Sequence, residues 1–464
     1  MSSNPQDPQQ NPDDDFSKMF QEMFGQFFGS GEQGQMPPLP PGMTPEDMAK
    51  AFNPEMMGQI FSQVQAMFSG AASEGPVNWE QAKNTALQVA KQHDSTISEQ
   101  HSAAVSQAFE LADLWLNNVT EFESPAQLPQ AWTCSEWVEH TMDSWAELTE
   151  PVAASVSEAM SESLQQQLPE EMAASLGPAL PMLKNLGGMM FALQLGQAVG
   201  KLSGEVLGTS DIGLPIARPH IALMPTNIKS FADGLEVANE DVFIYLALRE
   251  SAYQRLFLQV PWLYGELKSA IQQYASGFQI DTERMDEIAQ HFDPMNPESF
   301  QQHIEGSFVR ASDTPEQQAA LARLETQLAL IEGWVDDVVA EAATHLTSAE
   351  ALRETMRRRR ATGGPSELAF GALVGLELRP RRLRDAANLW AFIREQAGSA
   401  ERDKVWSHPD MQPTTADLDD PTGFFERREQ QAEKDQSFED DLRKLLEGGY
   451  DEDPQSESED PNKD

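Results

Sequence analysis

The sequence predicts a mainly α-helical (α+β) protein with a small sheet, and three observations carry this prediction. Apolar residues recur at helical spacing through most of the chain between residues 75 and 425. Glycine or alanine occupies every fourth position from Gly188 to Gly208, which is typical of a helix face that another backbone approaches closely. The stretch most typical of a strand, His220–Met224 continued by Asn227 and Ile228, is short and is interrupted by Pro225, so we expect it at the edge of a small sheet.

The composition limits the classes of protein to consider. The chain has 464 residues, and its formal net charge of −43 opposes non-specific binding to nucleic acid or to an anionic membrane. Its single cysteine, Cys134, excludes an internal disulfide framework. The polar, acidic start shows no signal-peptide pattern, and no run of about 18 apolar residues occurs. We therefore expect a cytoplasmic protein without a membrane span.

Changes in composition divide the chain into four parts. Residues 1–43 form an acidic, proline-rich region that we expect to be disordered apart from one short amphipathic helix. Residues 44–74 form a helical segment, residues 75–425 the main helical domain, and residues 426–464 a charged, mostly disordered tail. Within this tail, Phe438, Leu442, Leu445 and Leu446 have the spacing of one short amphipathic helix. The first helix either docks into a partner or packs back onto its own domain. Its apolar residues are Phe16, Met19, Phe20, Met23, Phe24, Phe27 and Phe28.

Local signals predict where helices of the main domain begin and how they pack. Asn78 and Thr314 stand where helix caps are expected, each followed by a glutamate and a glutamine in the first turn. From Asn78 to about Leu176 the apolar spacing predicts helix throughout. We expect the glycine-rich helix at 188–208 to be central and to pack on a second helix, with the helix that begins at Asn239 as the candidate neighbour.

The helix that begins at Asn239 carries the most informative motif. Asn239 is expected to cap it, and Pro261 is expected to end it. In its middle, residues 249–253 have the sequence RESAY, which has the form of the zinc-peptidase motif H-E-x-x-H with both histidines replaced. In that motif the two histidines bind zinc from one helix face, and the glutamate between them activates the metal-bound water. Here the glutamate, Glu250, remains.

Three segments carry a wider resemblance than the motif alone. They are LALRESAYQRLFLQVPWL from Leu246, LIEGWVDDVV from Leu330, and RRRRATGGPSELAFGALVGLELRPRRLRDAANLW from Arg357. Together they resemble a bacterial family of zinc-dependent metallopeptidases, usually labelled hydrolases, over roughly Gly75 to Phe425. The resemblance implies a zincin-like metallopeptidase fold with a small sheet next to the motif helix.

The resemblance also implies the positions of the site. It places Glu250 at the catalytic position, and Arg249 and Tyr253 where the metal-binding histidines of the family stand. Glu332 corresponds to a downstream metal ligand, and Asp336, one helical turn on, to an acid that orients a ligand.

These residues do not favour zinc chemistry. A catalytic zinc needs about three protein ligands and an open position, and an arginine has no lone pair to offer. We therefore expect no cofactor, and our hypothesis is that Arg249 pairs with Glu332 and so replaces the zinc charge. In the alternative, zinc is bound at an atypical site, with His291 or His303 as a replacement ligand.

Three functions follow from the resemblance and from these departures. The first is a catalytically degenerate homologue, a pseudoenzyme, that binds a protein or peptide without cutting it. The alternative is an active zinc-dependent peptidase or hydrolase with an atypical metal site. The second alternative is a scaffold that recruits partners through the amphipathic helix of residues 1–43.

A basic segment interrupts the acidic chain between Arg353 and Arg384. It is either an anion site for a carboxylate or phosphate of a substrate, or a set of internal partners for the protein's own acids. We favour internal pairing. Its nine arginines are Arg353, Arg357, Arg358, Arg359, Arg360, Arg379, Arg381, Arg382 and Arg384.

Overall fold

The computed structural model describes residues 77–167, 180–280, 309–311, 314–362, 364, 371 and 382–446. The chain divides into two units, Met1–Ala72 and Ser73–Asp464, and the described residues belong to the second unit. Several sequence predictions therefore lie outside the described residues. They concern the amphipathic helix at 16–28, the segment 44–74, His291, His303, Arg379, Arg381 and the tail from residue 447 onward.

The fold is mainly α-helical, as the sequence predicts. Among the described residues the helices are α1 (Trp79–Ala90), α2 (Glu99–Leu116), α3 (Cys134–Gln167), α4 (Leu180–Ser203), α5 (Pro225–Ala232), α6 (Asn239–Gln259), α7 (Pro261–Ala275), α8 (Pro315–Ala342), α9 (Ala349–Ala361), α10 (Leu383–Ala397), α11 (Ser399–Lys404), α12 (Thr415–Asp419) and α13 (Phe424–Leu446). The strands are β1 (Gln130–Ala131), β2 (Ala222–Leu223), β3 (Phe278–Ile280) and β4 (Val309–Ala311).

The prediction of continuous helix from Asn78 onward is wrong between α1 and α3. Helix α2 has its own start, where the Ser98 hydroxyl accepts a hydrogen bond from the His101 backbone N–H at 3.2 Å. The segment after α2 contains Pro125 and Pro129, which have no backbone N–H to donate to a helix. This segment instead leads into strand β1.

Strand β2 is hydrogen-bonded to backbone groups on both sides, whereas the sequence predicts an edge strand. Strand β1 runs parallel to β2 on one side, and Gln130 of β1 pairs with Ala222 of β2. On the other side, an antiparallel bridge joins Gly208 to Leu223. Pro225 does not restrict β2 to an edge, because it lies beyond the strand at the first position of helix α5. The predicted continuation of the strand after Pro225 is therefore helical.

The glycine-rich helix α4 packs on α1, which corrects the expected packing against α6. A Cβ atom added at Gly196 would lie 2.5 Å from the Ala82 carbonyl oxygen, and one at Gly200 would lie 2.6 Å from the Val89 Cβ atom. Because real Cβ atoms do not approach other atoms so closely, the two backbones need glycine at these positions. Helix α4 ends at Ser203, so the last two small positions of the repeat lie beyond it.

Helix α6 is buried along most of its length, and it packs against α2 and α8. It begins after Ala238, whose side chain makes no capping hydrogen bond, so the predicted capping role of Asn239 is wrong. It ends before Pro261, as predicted, because proline cannot continue the hydrogen-bond ladder. The buried face includes polar and charged side chains, namely Arg249, Glu250, Ser251, Gln254 and Arg255.

The last described helix, α13, is mostly exposed. The sequence predicts one short helix around Phe438 to Leu446, and the structure places these residues on a helix of 23 residues. Their apolar side chains are exposed, with Phe438 at 68% and Leu446 at 77%. No described helix of the protein, α13 included, combines the length and hydropathy needed to cross a membrane.

Candidate functional site

The motif residues of α6 meet Glu332 of α8 in the interior of the protein. The Arg249 Nη2 atom lies 2.9 Å from Glu332 Oε2, and both side chains are about 5% exposed. The Tyr253 hydroxyl donates a hydrogen bond to the other oxygen, Oε1. The predicted pairing of Arg249 with Glu332 is confirmed. Arg249 and Tyr253 stand four residues apart, so both point from one face of α6 toward the same carboxylate.

A third group, from α9, completes the surroundings of Glu332. The Arg360 Nη2 atom lies 2.9 Å from Glu332 Oε1, and the Arg360 side chain is 4% exposed. Burial alone would raise the pKa of Glu332, but the guanidinium groups of Arg360 and Arg249 hold the pKa below its usual value. Glu332 is therefore a buried, ionised carboxylate whose two oxygens are both in use.

Asp211 was not singled out in the sequence, yet it belongs to the same cluster. It lies in the loop before β2, where its carboxylate accepts a hydrogen bond from the Leu207 backbone N–H at 2.9 Å. Arg359 and Arg360 reach it at 2.8 Å and 3.3 Å. Burial would raise the pKa of Asp211, but the two arginines lower it. An acid in a loop gives no periodic signal, so the ion pairs of Asp211 with distant arginines could not be predicted from the local sequence.

Asp336 contacts α9 rather than the motif residues. Its carboxylate lies 2.6 Å from the Arg353 Nη2 atom and 2.7 Å from the Arg357 Nη2 atom. Burial would raise the pKa of Asp336, but hydrogen bonds from these two arginines hold the pKa below its usual value. The role of orienting a metal ligand, which the resemblance implies for Asp336, stays a prediction.

The arginines of α9 pair with the protein's own acids, as the sequence analysis favours. Four of the five arginines between residues 353 and 360 reach buried carboxylates. The pairs are Arg353–Asp336, Arg357–Asp336, Arg359–Asp211, Arg360–Asp211 and Arg360–Glu332. The fifth, Arg358, is 76% exposed and pairs with Glu354 on the helix surface. Within the described residues, this part of the basic segment therefore neutralises buried acids of the fold.

Glu250 is held by neutral donors. The Thr209 hydroxyl donates to its Oε1 atom, the Ser210 hydroxyl and the Gln254 amide donate to the same atom at 2.9 Å, and the Ser210 backbone N–H donates to Oε2 at 2.9 Å. Burial raises the pKa of Glu250, and these four donors oppose that rise. A Cβ atom at Gly208 would lie 2.7 Å from Oε2, so only glycine leaves room for this carboxylate.

Thr209 and Ser210 are partners of Glu250 that the sequence did not predict, because they precede it by about 40 residues. The four-residue spacing of small residues predicted that Gly208 lies on a helix, but the helix ends at Ser203. Two hydroxyl residues directly after a glycine are a signal for a tight turn that presents hydroxyl and backbone donors. That signal marks a candidate binding loop but does not identify the carboxylate that it binds.

The cavity beside Glu250 is small. It encloses about 20 Å³, which is room for roughly one water molecule. Drug-sized ligands occupy clefts of about 300 Å³ or more, so the cavity in this form of the protein does not accommodate a substrate. The lining residues are Leu207, Gly208, Asp211, Leu223, Leu246, Arg249, Glu250, Tyr253 and Met356.

The donor set around Glu332 does not fit a zinc ion. Arg249 and Arg360 bring permanent positive charge to the carboxylate, and the Tyr253 hydroxyl donates a hydrogen bond to it. Burial, together with the Glu332 charge, raises the pKa of Tyr253 well above its usual value, which opposes a phenolate ligand. Within the described ranges, no three His, Cys, Asp or Glu side chains come together as a metal site would require.

The paired acids predict how stability depends on pH. The pKa values of Glu332, Asp211 and Asp336 are lower in the folded chain than their usual values of 4.5, 3.8 and 3.8. Their contribution to the free energy of unfolding is therefore complete above about pH 5 and is lost as the pH falls through the folded values. We expect the urea midpoint to decrease steeply below about pH 4.

The control for this pH dependence is Glu332→Gln, measured by urea unfolding between pH 3 and pH 7. This variant should be less stable at pH 7 and should show a shallower acid decrease, because one of the three groups no longer titrates. An unchanged acid slope would show that Glu332 is not ionised in the fold. The pH dependence due to Glu250 has the opposite sign, because its pKa is raised in the fold: its contribution to the free energy of unfolding decreases as the pH rises above the usual value of 4.5.

Comparison with known proteins agrees with this architecture. A profile of the zincin-like metallopeptidase family matches residues 77–425. A solved structure from Chloroflexus aurantiacus, described as a candidate hydrolase with a novel fold, is similar in fold with a TM-score of 0.54 and 18% identity. The similarity covers 76% of this chain and 99% of that one. The comparison with curated proteins finds no match. Since the family profile spans most of its length, the chain belongs to the zincin-like metallopeptidase family.

Proposed function

We propose that this chain is a metal-independent member of its family, which binds a protein or peptide in the cytoplasm and does not cut it. One observation carries the proposal: the carboxylate of Glu332 is already bound by Arg249, Arg360 and Tyr253. A catalytic metal needs ligands with free lone pairs and one open position for water. A carboxylate that is held between two guanidinium groups meets neither requirement.

A peptide partner is supported by the family and by the sheet. The family is described as metallopeptidases, and the substrates of peptidases are polypeptides. Strand β1 has β2 on one side, and Gln130 of β1 is exposed. An extended peptide adds to such an edge through main-chain hydrogen bonds, while pockets or apolar side chains select its sequence. Leu128, 86% exposed and two residues before β1, is an apolar contact of this kind.

The alternative is an active zinc-dependent peptidase or hydrolase with an atypical site. The description of the similar Chloroflexus aurantiacus protein as a candidate hydrolase favours this alternative. The zinc would need ligands beyond those of the α6–α8 cluster, and His291 and His303 are the sequence candidates. Both lie outside the described residues.

Metal content separates the two functions. The untagged protein, purified without chelators, would be measured by atomic emission beside its Glu332→Ala variant. We expect background zinc in both proteins and no cleavage of a fluorogenic peptide mixture. Near-stoichiometric zinc that decreases in Glu332→Ala would contradict the proposal and establish an atypical metal site.

Binding is tested with a displayed random-peptide library on the full-length protein. Selected peptides should bind reversibly in titration calorimetry and remain intact by mass spectrometry. We expect Leu128→Glu to weaken them, and the matched variant Leu114→Glu, at another exposed leucine (61%), to have no effect. Deletion of residues 1–43 should also leave binding unchanged. Binding that disappears with this deletion would favour the second alternative, a scaffold that recruits partners through its N-terminal helix.

A further inference from the structure

Two guanidinium groups approach the Glu332 carboxylate, one at each oxygen. Arg249 reaches Oε2 from helix α6, and Arg360 reaches Oε1 from helix α9, both at 2.9 Å. All three side chains are at least nine-tenths buried. The two arginines come from segments more than 100 residues apart, so the fold itself brings both charges to one carboxylate.

A zinc ion at such a site would supply two positive charges. In the H-E-x-x-H motif it would be bound by imidazoles at positions i and i+4. An imidazole with zinc at about 2.1 Å from its nitrogen extends about as far from the helix as an arginine or tyrosine side chain. In this chain those two positions carry the Arg249 guanidinium and the Tyr253 hydroxyl, and both contact the carboxylate where a metal would bind.

We infer that Arg249 and Arg360 together replace the double positive charge of a metal ion, and that Arg360 by itself would keep zinc out even if both histidines were restored. The inference does not depend on what the protein binds. It assigns a particular task to one arginine of the basic segment. Both arginines are needed for this replacement, since one guanidinium supplies half of the charge of Zn²⁺.

Glu332 is the better placed partner of Arg360. The Arg360 Nη2 atom is 2.9 Å from Glu332 and 3.3 Å from Asp211. Asp211 is already bound by Arg359 at 2.8 Å and by a backbone N–H. Arg357, one turn earlier on α9, pairs with Asp336 at 2.7 Å and so provides a matched control for Arg360.

The test restores the histidines and asks which arginine excludes the metal. The full-length chain is prepared as Arg249→His/Tyr253→His with a third change, either Arg360→Gln or the control Arg357→Gln. Zinc affinity is measured by competition with a fluorescent chelator, and zinc content by atomic emission after dialysis. We expect the Arg360→Gln triple variant to bind about one zinc per chain, roughly tenfold or more tightly than the control, because a buried like charge has been removed.

Further variants show where the zinc is bound. Adding Glu332→Ala to the Arg360→Gln triple variant should abolish stoichiometric binding. Equal zinc affinity in the two triple variants would overturn the inference about Arg360 and leave the proposed function untouched. One zinc per chain in the natural protein, lost in Glu332→Ala, would overturn both.

Circular dichroism decides whether the triple variants fold. If they do not, the inference is tested in single variants by thermal unfolding. Arg360→Met should lower the melting temperature by about 5 °C or more, whereas Arg358→Met, at a side chain 76% exposed, should change it by about 1 °C. Equal melting temperatures would show that Arg360 is not needed to balance the Glu332 charge and would contradict the inference.

Discussion

Arg249→Met is expected to lower the free energy of unfolding by about 3 kcal/mol at pH 7, the lower end of the range for breaking one partner of a buried ion pair. The methionine keeps most of the side-chain volume but removes a charge that lies 2.9 Å from Glu332. Arg360 and Tyr253 remain on the carboxylate, so the loss is not at the upper end. Urea unfolding followed by circular dichroism measures the change.

A double-mutant cycle separates this charge effect from packing. Arg249→Met combined with Glu332→Gln should be less destabilised than the sum of the two single variants, by about 1–3 kcal/mol, because the uncompensated carboxylate is gone. The surface variant Arg358→Met should change the free energy by less than about 0.5 kcal/mol. If Arg249→Met were as stable as Arg358→Met, the ion pair would contribute nothing to the fold, and the idea of a charge replacement would fail.

Gly196→Ala is expected to lower the free energy of unfolding by about 2 kcal/mol. A Cβ atom there would lie 2.5 Å from the Ala82 carbonyl oxygen and 2.6 Å from the Thr85 Cβ atom. Overpacking of this kind costs about 1–3 kcal/mol or more, and backbone atoms cannot rotate away as a long side chain does. Alanine offsets part of the cost, since it favours helix over glycine by about 1 kcal/mol.

Gly265→Ala is the matched control for this substitution. It lies inside helix α7, and nothing is found within 4 Å of the added Cβ atom. The variant should therefore gain up to about 1 kcal/mol from helix propensity alone. The two substitutions are chemically identical, but their expected changes in the free energy of unfolding have opposite signs. The difference between them therefore measures the effect of the close contact between α1 and α4. Equal stability of the two variants would show that these helices are not in close contact.

Much of the local structure follows from the sequence because short-range chemistry determines it. Asn78 and Thr314 cap their helices as predicted, with side-chain oxygens that accept backbone N–H groups of Gln81 and Gln317. Pro261 ends α6 for the same kind of local reason, its missing N–H. The site positions implied by the resemblance also lie together, since Glu332 contacts both Arg249 and Tyr253.

The features that the sequence did not predict depend on contacts between distant segments. The spacing of small residues correctly indicated a close helix contact, but it carries no information about which helix approaches. Pro225 indicated an edge strand, yet it lies two residues past the end of β2 and begins helix α5. Among the nine arginines, nothing local distinguishes Arg360, which reaches Glu332, from Arg357, which reaches Asp336.

Helix α6 is buried on nearly every side, and this has a consequence for amide hydrogen exchange. Its backbone N–H groups between Leu246 and Phe257 are in a helix whose residues are almost all inaccessible to water. Such amides exchange with deuterium only when the whole domain opens, whereas the loops of working active sites are drawn from the least stable parts of a protein. We therefore expect the residues at the peptidase-motif positions to be among the slowest to exchange of the described residues, at rates that report global unfolding.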